Sequence, residues 1–257
     1  MKKNNFFELV FYKSYFSLIS ESKRTILSMG WWVLEPILTM LVYYVVFAYF
    51  LNIKAENYVF YLLISLVFFQ WFAKSVTSSM NTINDSGSII SKIATNKLFF
   101  PLTAFTVDLI KTTVVVIILI IGLNIFSFTV NFSYVYLPLI LIAQFIFTLS
   151  VAFWVALIIP FFPDIRILVD LLIRGLMFAS AIFYPIQSLP QQVQEYMVYN
   201  PIAILLEGYR QILLYGSFSF ESSYYYLVLI FISVILLVAA ILFERKASNS
   251  YIKIILK

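Results

Sequence analysis

Four acids interrupt the apolar stretches of this 257-residue chain: Glu35, Asp108, Asp170 and Glu207. Three of them have a base one helical turn later, in the pairs Asp108/Lys111, Asp170/Arg174 and Glu207/Arg210. Spacings of three and four put both side chains on one helix face. Ionisable groups in apolar segments mark ion or proton pathways, unless they simply neutralise one another near helix ends. Neutralisation is the reading favoured here. A coupled transporter would more often show unpaired acids and broken helices in two matching halves, and the sequence has no such repeat. With neither Cys nor His, the chain has no disulfide, thiolate, zinc or His-based acid–base chemistry. Its six glycines stand apart and none opens a GxxxxGK[ST] loop, so no phosphate cradle is expected. No catalytic residue, metal or cofactor of its own is expected.

The elements that must hold these groups are apolar. The chain is 63% hydrophobic and 11% charged, against about a quarter charged in soluble domains. This composition describes an all-α integral membrane protein with one compact helical unit, residues 1–257. The 27 Phe and 18 Tyr suit lipid-facing packing and interfacial belts. Residues 6–24 carry one polar stripe on an apolar cylinder, as in a helix lying in the interface. Met1–Ser28 lacks the compact apolar core and small-residue site of a cleavable signal. Six spans are expected, over residues 31–53, 58–80, 101–128, 134–159, 165–184 and 224–243. Trp31 and Trp32 sit at headgroup level at the start of the first.

Between spans two and three, Asn84-Asp85-Ser86-Gly87 reads as a turn. Ser88–Asn96 then reads as a short amphipathic helix outside the membrane. Between spans five and six, residues 185–216 are too apolar for a loop and too broken for a span. Pro185, Pro190 and Pro201 each stop a continuing helix, leaving helical pieces over 191–199 and 202–214. Segments of that length read as re-entrant, and irregular backbone at membrane depth needs protein or a wet cavity around it. Six spans with both ends inside place 13 of the 17 basic residues on the cytoplasmic side, as the positive-inside rule requires. That charge sorting follows the membrane and gives no sign of nucleic-acid binding.

The ordered pieces resemble the membrane subunit of type-2 ABC exporters for lipid-linked polysaccharides: O-antigen, capsule and teichoic acid. The resemblance rests on Gly30-Trp31-Trp32 with Glu35-Pro36, Asn96-Lys97-Leu98-Phe99-Phe100-Pro101, and Phe162-Pro163-Asp164. It rests also on Tyr184-Pro185-Ile186, Leu189-Pro190, and Asn200-Pro201 followed by Glu207, Arg210 and Gly216. Many members have Arg-Asp where this chain has Pro163-Asp164, so capsule and O-antigen both stay open.

The resemblance implies a bacterial inner-membrane homodimer channel with two separate ATPase subunits, which bind ATP and Mg. It implies that residues 84–97 form a cytoplasmic coupling loop, touching the ATPase through Ser88, Ile89, Ile90, Lys92, Ile93 and Asn96. It makes 185–216 an outer gate. Trp31, Trp32, Glu35, Phe178, Tyr184, Pro185, Asn200, Pro201, Glu207 and Arg210 become the channel and gate candidates. The alternatives are a type-2 exporter of a drug or lipid, an ion-coupled secondary transporter, and a non-transporting scaffold.

Overall fold

The computed structural model describes residues 6–23, 29–53, 57–90, 96–126, 128, 131–218, 220 and 222–255. Among them every regular element is helical. Helix α1 (Phe6–Ser22) is followed by α2 (Gly30–Tyr44), which continues as a π-helical turn to Phe50. Next come α3 (Tyr58–Ser79), the short α4 (Thr82–Asp85) and α5 (Gly87–Ile90), and α6 (Phe99–Ile125). A 3-10 turn (Phe132–Tyr136) leads into α7 (Leu137–Ile158), then α8 (Ile165–Ala179). After a further 3-10 turn (Ile186–Ser188), α9 (Gln191–Met197) and α10 (Pro201–Arg210) precede the long α11 (Ser223–Ile255).

Helix α3 is the axis of the core. Fourteen of its residues are buried, against α2, α6, α7 and α10. Its phenylalanines and leucines are apolar all round, which is what a helix surrounded by others requires. Gln144 of α7 donates to the Phe68 carbonyl of α3 at 2.8 Å, a polar tie between two buried helices. Helix α11 lies along α7.

Five described helices are long and apolar enough to cross a membrane: Gly30–Phe50, Tyr58–Ser79, Phe99–Ile125, Phe132–Ile158 and Ser223–Ser248. The expected fifth span, 165–184, is a helix only to Ala179. Its 15 residues rise about 22 Å, short of the ~30 Å hydrocarbon core. The helix stops at a chain reversal. Ala181 takes φ +52°, a left-handed backbone that an L-residue adopts only under steric strain and that a right-handed helix cannot continue through. By contrast α11 runs twelve residues past the expected end at 243, to Ile255.

The stretch expected to be an interface helix, 6–24, is helical as α1 over Phe6–Ser22. Val10, Ser14 and Leu18, four residues apart, are its buried face, and Ser14 donates to the Thr103 carbonyl of α6 at 3.2 Å. Phe7, Phe11, Tyr12, Tyr15 and Phe16 are exposed. Lys13 lies over the rings of Phe99 and Phe100, 5.2 and 4.8 Å from their centroids. Burial lowers its pKa below the ordinary lysine value. Arg24 lies outside the described residues.

Candidate functional site

The proline-broken stretch folds back into the bundle, and a buried polar node holds it there. Asn200 caps α10: its side-chain oxygen accepts from the amides of Ile202 and Ala203 at 3.0 and 3.2 Å. Pro201 follows at the first helical position, where its missing N–H is not needed. The Asn200 amide also donates to the Ala179 carbonyl and to Ser180 Oγ, both at 3.1 Å. One side chain thus fixes the end of α8 to the start of α10.

Nine residues into α10, Arg210 is fully buried. Its Nη1 donates to the Ala181 carbonyl at 2.8 Å and to Ser65 Oγ at 3.3 Å. Its Nη2 stands 3.0 Å from Glu207 Oε2, though without hydrogen-bond geometry. The guanidinium lies 4.3 Å from the centre of the Tyr61 ring. The Tyr61 hydroxyl donates to the carbonyls of Ala181 and Tyr184 at 2.9 and 2.7 Å, and Tyr58 donates to that of Phe183 at 2.7 Å. The left-handed turn at Ala181 therefore aims its carbonyl at two buried donors. Beside the node, the Phe68 and Tyr209 rings stack at 3.5 Å. Glu207 also borders a cavity of about 230 Å³ with Gln194, Gln211 and Tyr225.

Of the three acid–base pairs, only Glu207 and Arg210 meet. Lys111 instead pairs with Glu21 of α1 at 2.7 Å, and Asp108 accepts from Ser78 of α3 at 2.5 Å. Neighbouring helices lie nearer to these side chains than their own i+3 partners do. No ion pair joins Asp170 to Arg174 among the described residues. Nor is there any cluster of acids there that would hold a metal ion.

Trp31, Trp32 and Glu35 lie apart from that node. They line a cavity of about 390 Å³ where α1, α2, α3 and α6 meet, together with Glu21, Lys74, Asp108 and Lys111. Glu35 pairs with Lys74 at 2.6 Å. Phe178, Tyr184 and Pro185 cluster instead at the end of α8. There the Tyr184 hydroxyl donates to the Phe178 carbonyl at 2.7 Å, and the Phe178 and Phe183 rings are 5.3 Å apart.

At the opposite end of α3, the expected turn over 84–87 is narrower than its sequence suggests. Asn84 and Asp85 finish α4, Ser86 alone breaks the helix, and Gly87 opens α5. Ile90 is buried, whereas Ser88 and Ile89 face outward. Lys92 and Ile93 lie outside the described residues. Asn96 caps the next turn, its side chain accepting from the Leu98 amide at 2.9 Å. The Lys97 amide donates to Glu244 of α11 at 3.0 Å, and Lys97 Nζ to Ser248 at 3.1 Å. The Tyr251 hydroxyl donates to the Leu157 carbonyl of α7 at 2.8 Å; burial first, then the Glu244 charge, raise its pKa above the ordinary tyrosine value.

Comparison with known proteins decides the family. Residues 16–214 match the ABC-2 type transporter family, more than three quarters of the chain. This chain belongs to that family. An O-antigen export system permease protein RfbA of Klebsiella pneumoniae is 26% identical over 234 residues, 91% of this chain and 89% of the relative. A second from the same species is 24% identical over 200 residues, 77% of each chain. One from Myxococcus xanthus is 24% identical over 185 residues, 71% of each. The chain is thus an ABC-2 permease, a multi-pass inner-membrane transport subunit.

Sequence reasoning missed Tyr61, Ser65 and Ala181 around Arg210 and Glu244 as the partner of Lys97. An alanine with positive φ has no signature in sequence, and tyrosines inside a Phe- and Tyr-rich span look like every other ring.

Proposed function

We propose that the chain is the membrane subunit of an ATP-driven exporter that moves a lipid-linked polysaccharide of the O-antigen kind across the inner membrane. The observation that carries the reading is the likeness to O-antigen export permeases along nine tenths of the chain, joined to the lack of any nucleotide loop. Two copies form the channel, and two ATPase subunits bind ATP and Mg and drive it. Capsular polysaccharide, which the resemblance also covers, stays inside this reading.

The mechanism follows from which parts are tightly packed. Helices α3, α7, α10 and α11 form one block. Helix α11 rises about 50 Å over its length; it holds Lys97 near one end and α10 near the other, where Tyr226 donates to the Ile204 carbonyl at 3.0 Å. A push on the α4–α5 loop from the ATPase therefore moves the whole block. Helices α2 and α8 are sparsely covered within one copy, exposing Leu38, Leu41, Val42, Leu168, Leu171 and Leu172. They face the second copy. The short α8 and the segment behind it together complete a sixth crossing, which keeps both termini and the coupling loop on the cytoplasmic side.

On the outer side α10 is a fixed post and α9 the moving part. Tyr196 and Tyr199 in and beside α9 are 74% and 82% exposed, as a movable flap requires. With Phe178 and Tyr184 they offer ring faces on which sugars stack weakly, so that a polymer slides.

Ile89→Asp tests the coupling loop. Ile89 is exposed, so the variant should fold, purify and melt like the parent. In detergent it should lose the ATPase encoded beside it, with affinity falling at least about tenfold, and surface polysaccharide should vanish. Ile90→Asp, at a buried position, should instead reduce the amount of folded permease. A permease that purifies alone and moves a small solute down a proton gradient would end this reading.

A further inference from the structure

The 390 Å³ cavity is not a closed room. A second cavity of about 170 Å³ adjoins it and shares Pro36, Val67 and Val115. The two differ in chemistry. The first carries Glu21, Glu35, Asp108, Lys74 and Lys111 beside Trp32. The second is an apolar slot between α2, α3 and α6 that runs from Val33 and Val115 to Phe126. From Val115 to Phe126 helix α6 rises roughly 16 Å, the depth of hydrocarbon in one leaflet, about 15 Å. A polar chamber on top of a slot one leaflet deep has the shape of a single amphiphile.

We propose that this groove is a binding site for a zwitterionic phospholipid with an ammonium in its headgroup, one acyl chain filling the slot. Charge selects the class. Among the described residues the chamber holds three carboxylates and two ammonium groups, a formal excess of one negative charge, so a dianionic lipid phosphate is disfavoured. An ethanolamine headgroup matches it: its phosphate joins Lys74 and Lys111, and its ammonium joins Glu21 and Glu35. The existing pairs do not bar entry. Glu35 and Lys74 are each about half exposed, and such pairs contribute only ~0–1 kcal/mol, so their partners are readily shared. The Lys111 ammonium already lies 5.8 Å from the Trp32 ring centre, and the exposed Trp31 beside it is a second ring face for a cation.

The chamber lies toward the end of the bundle where α3 passes into the α4–α5 loop, the cytoplasmic side in the orientation proposed above, and the slot runs from it toward the outer end of α6. The site faces lipid between α2 and α6, away from Phe178, Tyr184 and the outer segment.

The test is lipid retention by the full-length chain and does not involve transport. The chain in mild detergent is doped with equal amounts of palmitoyl-oleoyl phosphatidylethanolamine and phosphatidylglycerol, and retained lipid is counted by native mass spectrometry. The expected result is ethanolamine lipid retained over glycerol lipid by at least about fivefold. A Cβ added at Gly122 meets nothing within 4 Å, and Gly122 lines the slot, so Gly122→Leu places its side chain there and should cut retention about tenfold. The double variant Glu21→Gln/Glu35→Gln turns the chamber's excess from −1 to +1 and should invert the preference toward phosphatidylglycerol. Equal or greater retention of the anionic lipid by the parent chain overturns the proposal. So does unchanged retention in a monodisperse Gly122→Leu chain. The charge inversion is read as a ratio of two lipids, so it decides the matter even where total retention falls. None of these outcomes bears on which polysaccharide is exported.

Discussion

Arg210→Ala is expected to cost this permease about 3–5 kcal/mol, seen in detergent as a melting midpoint lower by roughly 10 °C. The side chain is fully buried, and it satisfies a carbonyl that the left-handed turn at Ala181 has committed to the interior. Its removal leaves the Glu207 carboxylate, a fifth exposed, without its cation, and opens a hole against the Tyr61 face. Arg210→Lys keeps the charge and loses the planar fork, so it should recover part of the loss. Glu207→Gln should cost less than Arg210→Ala, because Ala181, Ser65 and the Tyr61 ring remain to hold the guanidinium. The combination Arg210→Met with Glu207→Gln should be better than Arg210→Ala alone, since no uncompensated charge is left. A proton-relay role predicts a different pattern: Arg210→Ala would keep the midpoint and lose only transport. A midpoint within a degree or two of the parent would therefore remove the structural role argued here.

Much of this fold is legible from residue patterns, and the failures have physical causes. The long spans are readable because an apolar run of twenty residues has few other uses. The cap at Asn200-Pro201 is readable because both residues have strong positional meaning at a helix start, and the two helical pieces fall close to where the prolines place them. The end of α8 is not readable: nothing in Phe178-Ala179-Ser180-Ala181 signals a chain reversal, and the tertiary bonds from Arg210 and Tyr61 impose it. Nor is the pairing of Asp108 and Lys111. Sequence spacing measures neighbours on one helix only, whereas Glu21 and Ser78 come from α1 and α3. The same limit hid the shared cavity. Trp31, Trp32 and Glu35 share it with Glu21 of α1, Lys74 of α3 and Asp108 and Lys111 of α6, residues that no spacing along α2 connects.

Gly208 is where α10 meets α11, and it tests whether that contact carries motion from loop to gate. A Cβ built there would overlap the Tyr226 hydroxyl and come within 2.6 Å of Ile140 Cδ1 and 2.8 Å of Tyr226 Cζ. Gly208→Ala must therefore push the tyrosine away, and with it the hydrogen bond to the Ile204 carbonyl. Overpacking of this kind costs about 1–3 kcal/mol, partly offset by the better helix propensity of alanine, ~1 kcal/mol. The expected phenotype is a folded permease, somewhat less stable, that still binds its ATPase and still supports ATP hydrolysis, yet exports far less polysaccharide. Tyr226→Phe alone loses one hydrogen bond, about 1 kcal/mol, and should be the milder change. The pair together is the informative case. With the hydroxyl gone, the new methyl group has only the ring carbon and a flexible Ile140 to displace, so Gly208→Ala/Tyr226→Phe should be more stable than the sum of the two single losses. Export should recover in step with that gain if the α10–α11 contact transmits the movement. Recovery of the melting midpoint without recovery of export would show that the contact is packing alone, and that the gate takes its motion from α3 instead.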